Sequence, residues 1–449
     1  MRAEETLAAG LRQLAQRTSN AAPEAVDRWL ATDPEARPLS AEQRQAVRLA
    51  LRHGCFVLTG GPGVGKTTTL RALARCLQAF GRSVALAAPT GKAAKRLTQV
   101  VGAPEAKTLH RLLGTGPQGF RFGPREPLPF DVVIVDEASM LDTSLARALV
   151  SAIGSRGQLV LVGDADQLPS VGPGQVLRDV LASEVVPSVR LETVFRQAAQ
   201  SQIVTNAHRI RRGELPELHP PAALGAGSDC IFIATPAERI PAVAAHWAAD
   251  RLPHLAGVQV DEVQVMAPLT RVCQSLNERL QQRLNPATGQ PERHHGALPL
   301  RLGDRVIQTR NNYALGVFNG DTGIISELDD WRVVVDFGDE RTVTYGAGDL
   351  LDLEHAYGLT VHRAQGSEWP VAVVLASSSY GPMLTRNLLY TALTRAKRLA
   401  VLIGDRAAVE RAVGETRDQE RCTALRALLR GEPAVLPAPA GTAALGETR

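Results

Sequence analysis

CFVLTGGPGVGKT, residues 55–67, decides the reading of this 449-residue chain. CFVLTG is an apolar run of strand length. GGPGVGKT (60–67) fits the pattern G-x-x-x-x-G-K-[ST], and the helical stretch TTTLRALARCLQAFG follows it. Strand, glycine-rich turn and helix in this order form the context a phosphate-binding loop requires. Glycines let backbone N–H groups wrap phosphate oxygens, and the helix N-terminus adds a favourable dipole. Gly61, Gly63, Gly65, Lys66, Thr67 and Thr68 are therefore candidate nucleotide contacts. Lys66 is expected to reach the β and γ phosphates of a nucleotide, and Thr67 to ligate Mg²⁺.

Outward from the loop, SVALAAPT (83–90), FDVVIVDE (130–137) and GQLVLVGD (157–164) read as further buried strands, with helical stretches such as TSLARALVSAIG between them. Strands alternating with helices predict an α/β fold with a parallel sheet covered on both faces. Ligands of such sheets bind at the carboxyl ends of the strands. Asp136 and Glu137 close the run VVIV at such an end. Asp136 is expected to coordinate Mg²⁺ and Glu137 to orient and deprotonate the attacking water. These parts predict nucleotide hydrolysis. By themselves they do not choose among a helicase, a GTPase and a protein-remodelling ATPase.

EVQVMAPLT (262–270), AVVLASSS (372–379) and RLAVLIGD (398–405) repeat the strand-then-polar-turn pattern in a second α/β region that begins near 198. Between them, 303–346 has short alternating runs broken by NG, DD and GD turns, which predicts a small β-barrel inserted in the second domain. The expected organisation is a short helical segment at 1–38, a first domain at 39–197, a second at 198–302 and 351–430, the β insertion at 303–350, and a disordered tail at 431–449. GTGPQGFRFGPREPLP (114–129) looks like a short hairpin.

Composition is permissive. A net charge of +4 allows nucleic-acid binding without demonstrating it, and 4% aromatic content leaves few stacking platforms, so a strand groove would lean on phosphate contacts. No run of about 18 apolar residues predicts a membrane span, and the N-terminus lacks a secretory apolar core. A cytoplasmic protein is expected. Cys55, Cys76, Cys230, Cys273 and Cys422 form no C-x-x-C pair, so neither a disulfide framework nor a zinc site is expected.

Beyond the loop, the motifs resemble the RecD-like branch of superfamily 1 DNA helicases, over about 39–405. LSAEQRQAV (39–47) is similar to the segment that precedes the loop in that family, which implies that Gln43 hydrogen-bonds adenine. APTGKAAKRL (88–97) resembles motif Ia and TLHRLLG (108–114) motif Ib, implying that Pro89, Thr90, Thr108 and His110 touch the DNA strand. DEAS (136–139) is similar to motif II. GDADQLPSVGPG (163–174) resembles motif III, in which Gln167 would sense the γ-phosphate. LETVFRQ (191–197) resembles motif IV and supplies Arg196. LEHAYGLTVHRAQGSEW (353–369) resembles motif V, with Thr360 and His362 at DNA and Gly366 and Glu368 near the nucleotide. LLYTALTRAKRLAVLIG (388–404) resembles motif VI, with Arg395 as an arginine finger.

The resemblance implies two RecA-like domains with parallel sheets plus an SH3-like β-barrel inserted in the second. It further implies ATP and Mg²⁺ as cofactors and 5′→3′ movement on single-stranded DNA, in repair or recombination. The expected partners are single-stranded DNA and single/double-strand junctions, with protein partners of a repair complex left open. A monomer is expected and no membrane. The hairpin at 114–129 would be a pin at the duplex junction. Two alternatives stay open: a DNA-dependent motor subunit that translocates without unwinding alone, and a nucleotide-switch regulatory subunit.

Overall fold

The computed structural model describes residues 1–433 except 19–21, 103, 117–118, 196–199, 296–297, 313, 339–340 and 418–420. Arg196 and the tail expected to be disordered (but for 431–433) lie outside the described residues.

Two parallel sheets organise the chain. The first runs Lys107–Thr108, Val84–Ala88, Val132–Val135, Gln158–Gly163, Cys55–Gly60, Ser188–Leu191 in spatial order. Its four central strands are buried along their whole length, which explains why they read as unbroken apolar runs. The two edge strands escaped the sequence reading. One has two residues, and the other alternates exposed and buried side chains. The second sheet runs Gly358–Thr360, Val263–Ala267, Trp369–Ala376, Ala396–Gly404, Cys230–Ala234, again all parallel.

The barrel between them is antiparallel, in the order Thr342–Tyr345, Val333–Asp336, Thr322–Leu328, Arg305–Gln308, Leu353–His355. Val306, Ile325, Val333, Val335 and Tyr345 fill its core. Its last strand runs past the expected boundary at 350 because Val306 pairs with His355. Asp304 ties the barrel to the second domain: it accepts from Tyr357 Oη at 2.9 Å and from Gln281 Nε2 at 2.7 Å.

Both ends of the described chain pack on the first sheet, which corrects the expected organisation. Helix Arg2–Ala15 buries Leu7, Leu11 and Leu14 against Cys55, Val57 and Leu149, so it belongs to the first domain's core. Its Gly10 lets helix Thr143–Ala152 approach, since a Cβ there would stand 2.5 Å from Val150 Cγ1. Helix Leu425–Arg430, grouped with the second domain by sequence order, buries Leu425 and Leu429 in that same core. The chain leaves the second domain after Gly414 and crosses back, and Arg421 Nη1 donates to Gly172 O and Gly174 O at 2.9 Å on arrival.

Candidate nucleotide cleft and strand channel

The strand Cys55–Gly60 delivers the glycine loop, and helix Lys66–Ala79 receives it. Gly65 has φ 82, and a Cβ there would sit 2.4 Å from Gln43 Nε2, so conformation and space both require glycine. Lys66 Nζ donates to Gly60 O at 2.6 Å and Gly61 O at 2.7 Å. An ammonium has three donors, so one remains for the cleft. Thr67 lines the cleft with Lys66. Thr68 follows in the helix's first turn.

Gln43 is buried beneath the loop. Its Oε1 accepts from Ser40 N at 2.9 Å in a capping box, and its Nε2 donates to Gly65 O at 3.3 Å. The amide expected to meet adenine is thus engaged in holding the loop.

Val132–Val135 carries Asp136 and Glu137 to the same cleft. Burial, with the charge of Glu137 adding to it, pushes the Asp136 carboxyl up to about 6, while Arg96 and Lys66 oppose. Glu137 holds φ 52, a left-handed conformation unusual outside glycine, and donates its N–H to Asp136 Oδ1 at 2.9 Å. A hydroxyl and a carboxylate whose charge is penalised make a donor set that suits a hard divalent cation.

The second domain forms the opposite wall. Helix Arg386–Leu393 leads into Arg395, which is 2% exposed. Its guanidinium donates to Thr391 O at 3.1 Å, Ser367 O at 3.3 Å and Thr394 Oγ1 at 3.2 Å. None of these acceptors is a carboxylate, so the buried cation faces the cleft without a counter-ion among the described residues. Lys66, Thr67, Asp136, Glu137, Gln167 and Arg395 together bound one cavity of about 340 Å³.

Glu368 also lines this cleft but pairs with Arg96 of the first domain at 2.5 Å, and Lys397 stands 3.7 Å away. Gly366, expected beside the nucleotide, is instead placed against Thr90: at φ 73, a Cβ would lie 2.8 Å from Thr90 Oγ1.

Sequence reasoning missed the seam that joins these walls. Asp164 ends the buried strand Gln158–Gly163 and is 1% exposed. Its Oδ2 accepts from Tyr390 Oη at 2.6 Å and from Gln167 Nε2 at 3.5 Å. Leu168 N donates to Thr391 Oγ1 at 2.8 Å, and Leu168 O accepts from Gln365 Nε2 at 2.9 Å. His208 also reaches the loop, since a Cβ on Gly61 would lie 3.1 Å from its Cε1. The available signal was a tyrosine and a threonine inside the otherwise apolar run LLYTAL of helix Arg386–Leu393, where buried hydroxyls need partners.

A second cavity, about 650 Å³, runs between the domains. Pro89, Thr90 and His110 line it from the first domain and Thr360 and His362 from the second. Thr108 is not in it and lines an adjacent cavity. Thr90, Thr108 and Thr360 each accept a backbone N–H, from Ala93, Arg111 and Arg363, at 3.2–3.3 Å. Their hydroxyl protons remain for a donor bond. The hairpin is present as Thr115–Gly116 paired with Gly119–Phe120, and residues 117–118 lie outside the described residues. Phe120 packs on the channel's His110 with ring centroids 5.7 Å apart.

Three family models match in sequence order: an AAA domain over 38–226, an ATP-dependent RecD-like DNA helicase SH3 domain over 276–337, and a UvrD-like helicase C-terminal domain over 355–403. The chain is 39% identical over 428 residues to an ATP-dependent RecD2 DNA helicase of Deinococcus radiodurans, covering 95% of this chain and 57% of that protein. It is 36% identical over 416 residues to the RecBCD enzyme subunit RecD of Mycobacterium tuberculosis, covering 83% of this chain and 70% of the subunit. The fold is that of a Bacteroides Pif1 helicase solved with ADP-AlF3 and ssDNA, at TM-score 0.53 and 20% identity over 83% of this chain and 94% of that one. The chain thus spans somewhat over half the length of the first of these relatives. With its two parallel-sheet domains, its SH3-like barrel and its kinship to RecD, the chain belongs to the RecD-like helicase family.

Proposed function

We propose that this protein is an ATP-driven motor that moves 5′→3′ along single-stranded DNA and separates strands ahead of it. One observation carries the reading: the acidic pair and Lys66 of one domain face the buried Arg395 of the other across a single cleft. A cation without a protein counter-ion there calls for an anion, and the Lys66 loop has the chemistry of a phosphate cradle.

Lys66 binds the β and γ phosphates. Thr67 and Asp136 would hold Mg²⁺, which would supply positive charge to offset that of the phosphates. Glu137 orients the attacking water and accepts its proton. Gln167 senses the γ-phosphate, and Arg395 and Arg196 stabilise charge that develops on it. Closure around ATP is passed to the strand through the Asp164–Leu168 loop, which touches both Tyr390 and Gln365. The channel threonines donate to phosphates of the strand. The hairpin, rooted on His110, acts as the pin. The protein works as a cytoplasmic monomer at single/double-strand junctions in repair or recombination.

The test measures ATPase with and without single-stranded DNA, then unwinding of duplexes with a 5′ or a 3′ tail. DNA stimulation and unwinding from the 5′ tail are expected. Absence of stimulation sinks the motor, and unwinding only from a 3′ tail overturns the polarity. Deleting 116–126 is expected to spare stimulation and abolish unwinding, and a deletion variant that unwinds at the normal rate removes the pin.

A further inference from the structure

The loop Asp164–Gly174 touches both cavities: Gln167 lines the nucleotide cleft, and Ser170, Val171 and Gly172 line the strand channel. Its first half is held from the second domain. Tyr390, Thr391 and Gln365 bond Asp164 and Leu168, and Asn387 Nδ2 donates to Gln167 O at 3.4 Å. Its second half is held from the first domain. Thr143 N donates to Pro173 O at 3.0 Å. Gly174 holds φ 95, which a side chain would strain, and a Cβ there would collide with Thr143 Oγ1. A Cβ on Gly172 would lie 2.5 Å from Asp142 Oδ2. The two glycines thus let the end of the loop press onto the N-terminus of helix Thr143–Ala152.

The same end is also held by the chain that returns from the second domain. Arg421 Nη1 donates to both Gly172 O and Gly174 O at 2.9 Å. Ser170 Oγ reaches the same carbonyls, at 3.0 and 3.3 Å, but its single proton serves one acceptor at a time. A guanidinium stays charged at any working pH and its bonds to carbonyls are charge-assisted, so Arg421 supplies what the hydroxyl cannot. Past Arg421 the returning segment follows the helix that the loop feeds, Val176–Ser183. Thr423 Oγ1 lies 2.9 Å from Asp179 Oδ2 and 2.7 Å from Glu4 Oε1. Arg430 Nη2 donates to Ala182 O at 2.9 Å and Nε to Ser183 O at 3.3 Å, a cation at the negative end of that helix.

We propose that Arg421 is a positioning residue for the motor: by holding the Gly172 and Gly174 carbonyls it gives the loop a fixed base. A loop pulled at Asp164–Leu168 by the second domain can answer in two ways. With a loose base it drifts as a whole, and the pull is lost. With a fixed base the displacement is taken up between the two anchors, at Gln167 beside the nucleotide and at Ser170 and Val171 beside the strand. Arg421 lines neither cavity and acts only through the loop. This rests on the proposal that closure around ATP reaches the strand through this loop. It adds the part that keeps the loop from slipping, supplied by a segment more than 240 positions downstream.

The test compares the full chain with Arg421→Ala and Arg421→Lys in steady-state ATPase, titrated with ATP and with oligothymidylate. Arg421→Ala is expected to lower DNA-stimulated kcat about tenfold, the factor in rate that one charge-assisted hydrogen bond supplies, while KM for ATP moves less than about twofold. Lysine, whose ammonium can serve two carbonyls, should restore most of that loss. Hydrogen–deuterium exchange of the amides at 165–176 should quicken in Arg421→Ala. Arg430→Ala is the control: it frees the same segment from the helix end, away from the loop, and should lower the melting temperature without lowering kcat. Unchanged kcat in Arg421→Ala overturns the inference, as do unchanged exchange and a lysine variant no better than alanine. An equal loss of kcat in Arg430→Ala also overturns it, by assigning the effect to docking of the whole segment. If DNA does not stimulate the unaltered chain, the motor reading itself falls, and the exchange result still decides whether Arg421 holds the loop.

Discussion

Replacing Tyr390 with phenylalanine removes one oxygen from the seam between the two parallel-sheet domains. The phenol donates to Asp164 at 2.6 Å, and Asp164 is 1% exposed. Burial, then the charge of Asp164, holds the Tyr390 phenol well above its ordinary range, so it stays a donor throughout the working pH range. A hydrogen bond to a charged group contributes about 1.5–3 kcal/mol. A loss of about 2 kcal/mol from the closed arrangement corresponds to about 30-fold in rate. Lys66 and Thr67 are untouched, so KM for ATP should move less than about twofold while DNA-stimulated kcat falls by up to about 30-fold. Steady-state ATPase with saturating single-stranded DNA measures both. Asp164→Asn completes the cycle: two changes on one bond should combine to less than their sum, with coupling of about 0.5–3 kcal/mol. A Tyr390→Phe enzyme with unchanged kcat, or additive effects of the two substitutions, refutes the seam as the link between ATP and strand.

Three further outcomes follow from the geometry. Arg395→Ala should lower kcat by about 10³–10⁵ while a fluorescent ATP analogue still binds, and retention of turnover would remove the finger. Burial pulls the Lys92 ammonium down to about 8 from 10.5, with Asp321 opposing. The folded state therefore binds that proton less tightly than the unfolded chain, so stability should rise with pH between about 8 and about 10.5, by up to about 3 kcal/mol. Lys92→Met should flatten that rise in denaturant titrations and weaken strand binding; an equal rise in both proteins refutes the assignment. Leu429→Ala should destabilise the first domain by about 2–5 kcal/mol in urea unfolding, because the helix near the chain end is part of that core. No change would mean that this helix does not dock in solution.

Much of the architecture was legible in sequence because central strands of parallel sheets are buried on both faces. VVIV and QLVLVG could hardly be anything else once a glycine loop stood beside them. The edge strands Ser188–Leu191 and Gly358–Thr360 were not legible, being short and flanked by irregular chain. The same division holds at the site. Lys66, Thr67, Asp136 and Glu137 follow from strand ends, where local order dictates position. Gln43 did not follow, because whether its amide faces a ligand or the loop depends on Gly65, 22 residues away.

By itself the sequence determined the loop, the acidic pair at a strand tip, the two α/β regions and the β insertion, since each is written in residues adjacent along the chain. Only the fold in three dimensions shows that helix Leu425–Arg430 closes the first domain's core, that Tyr390 donates to Asp164 across 226 positions, and that Lys92 lines two cavities. Local periodicity reports which face of an element is buried. It carries no record of which distant element buries it, because that choice is made by packing and by the partners that buried polar groups must find.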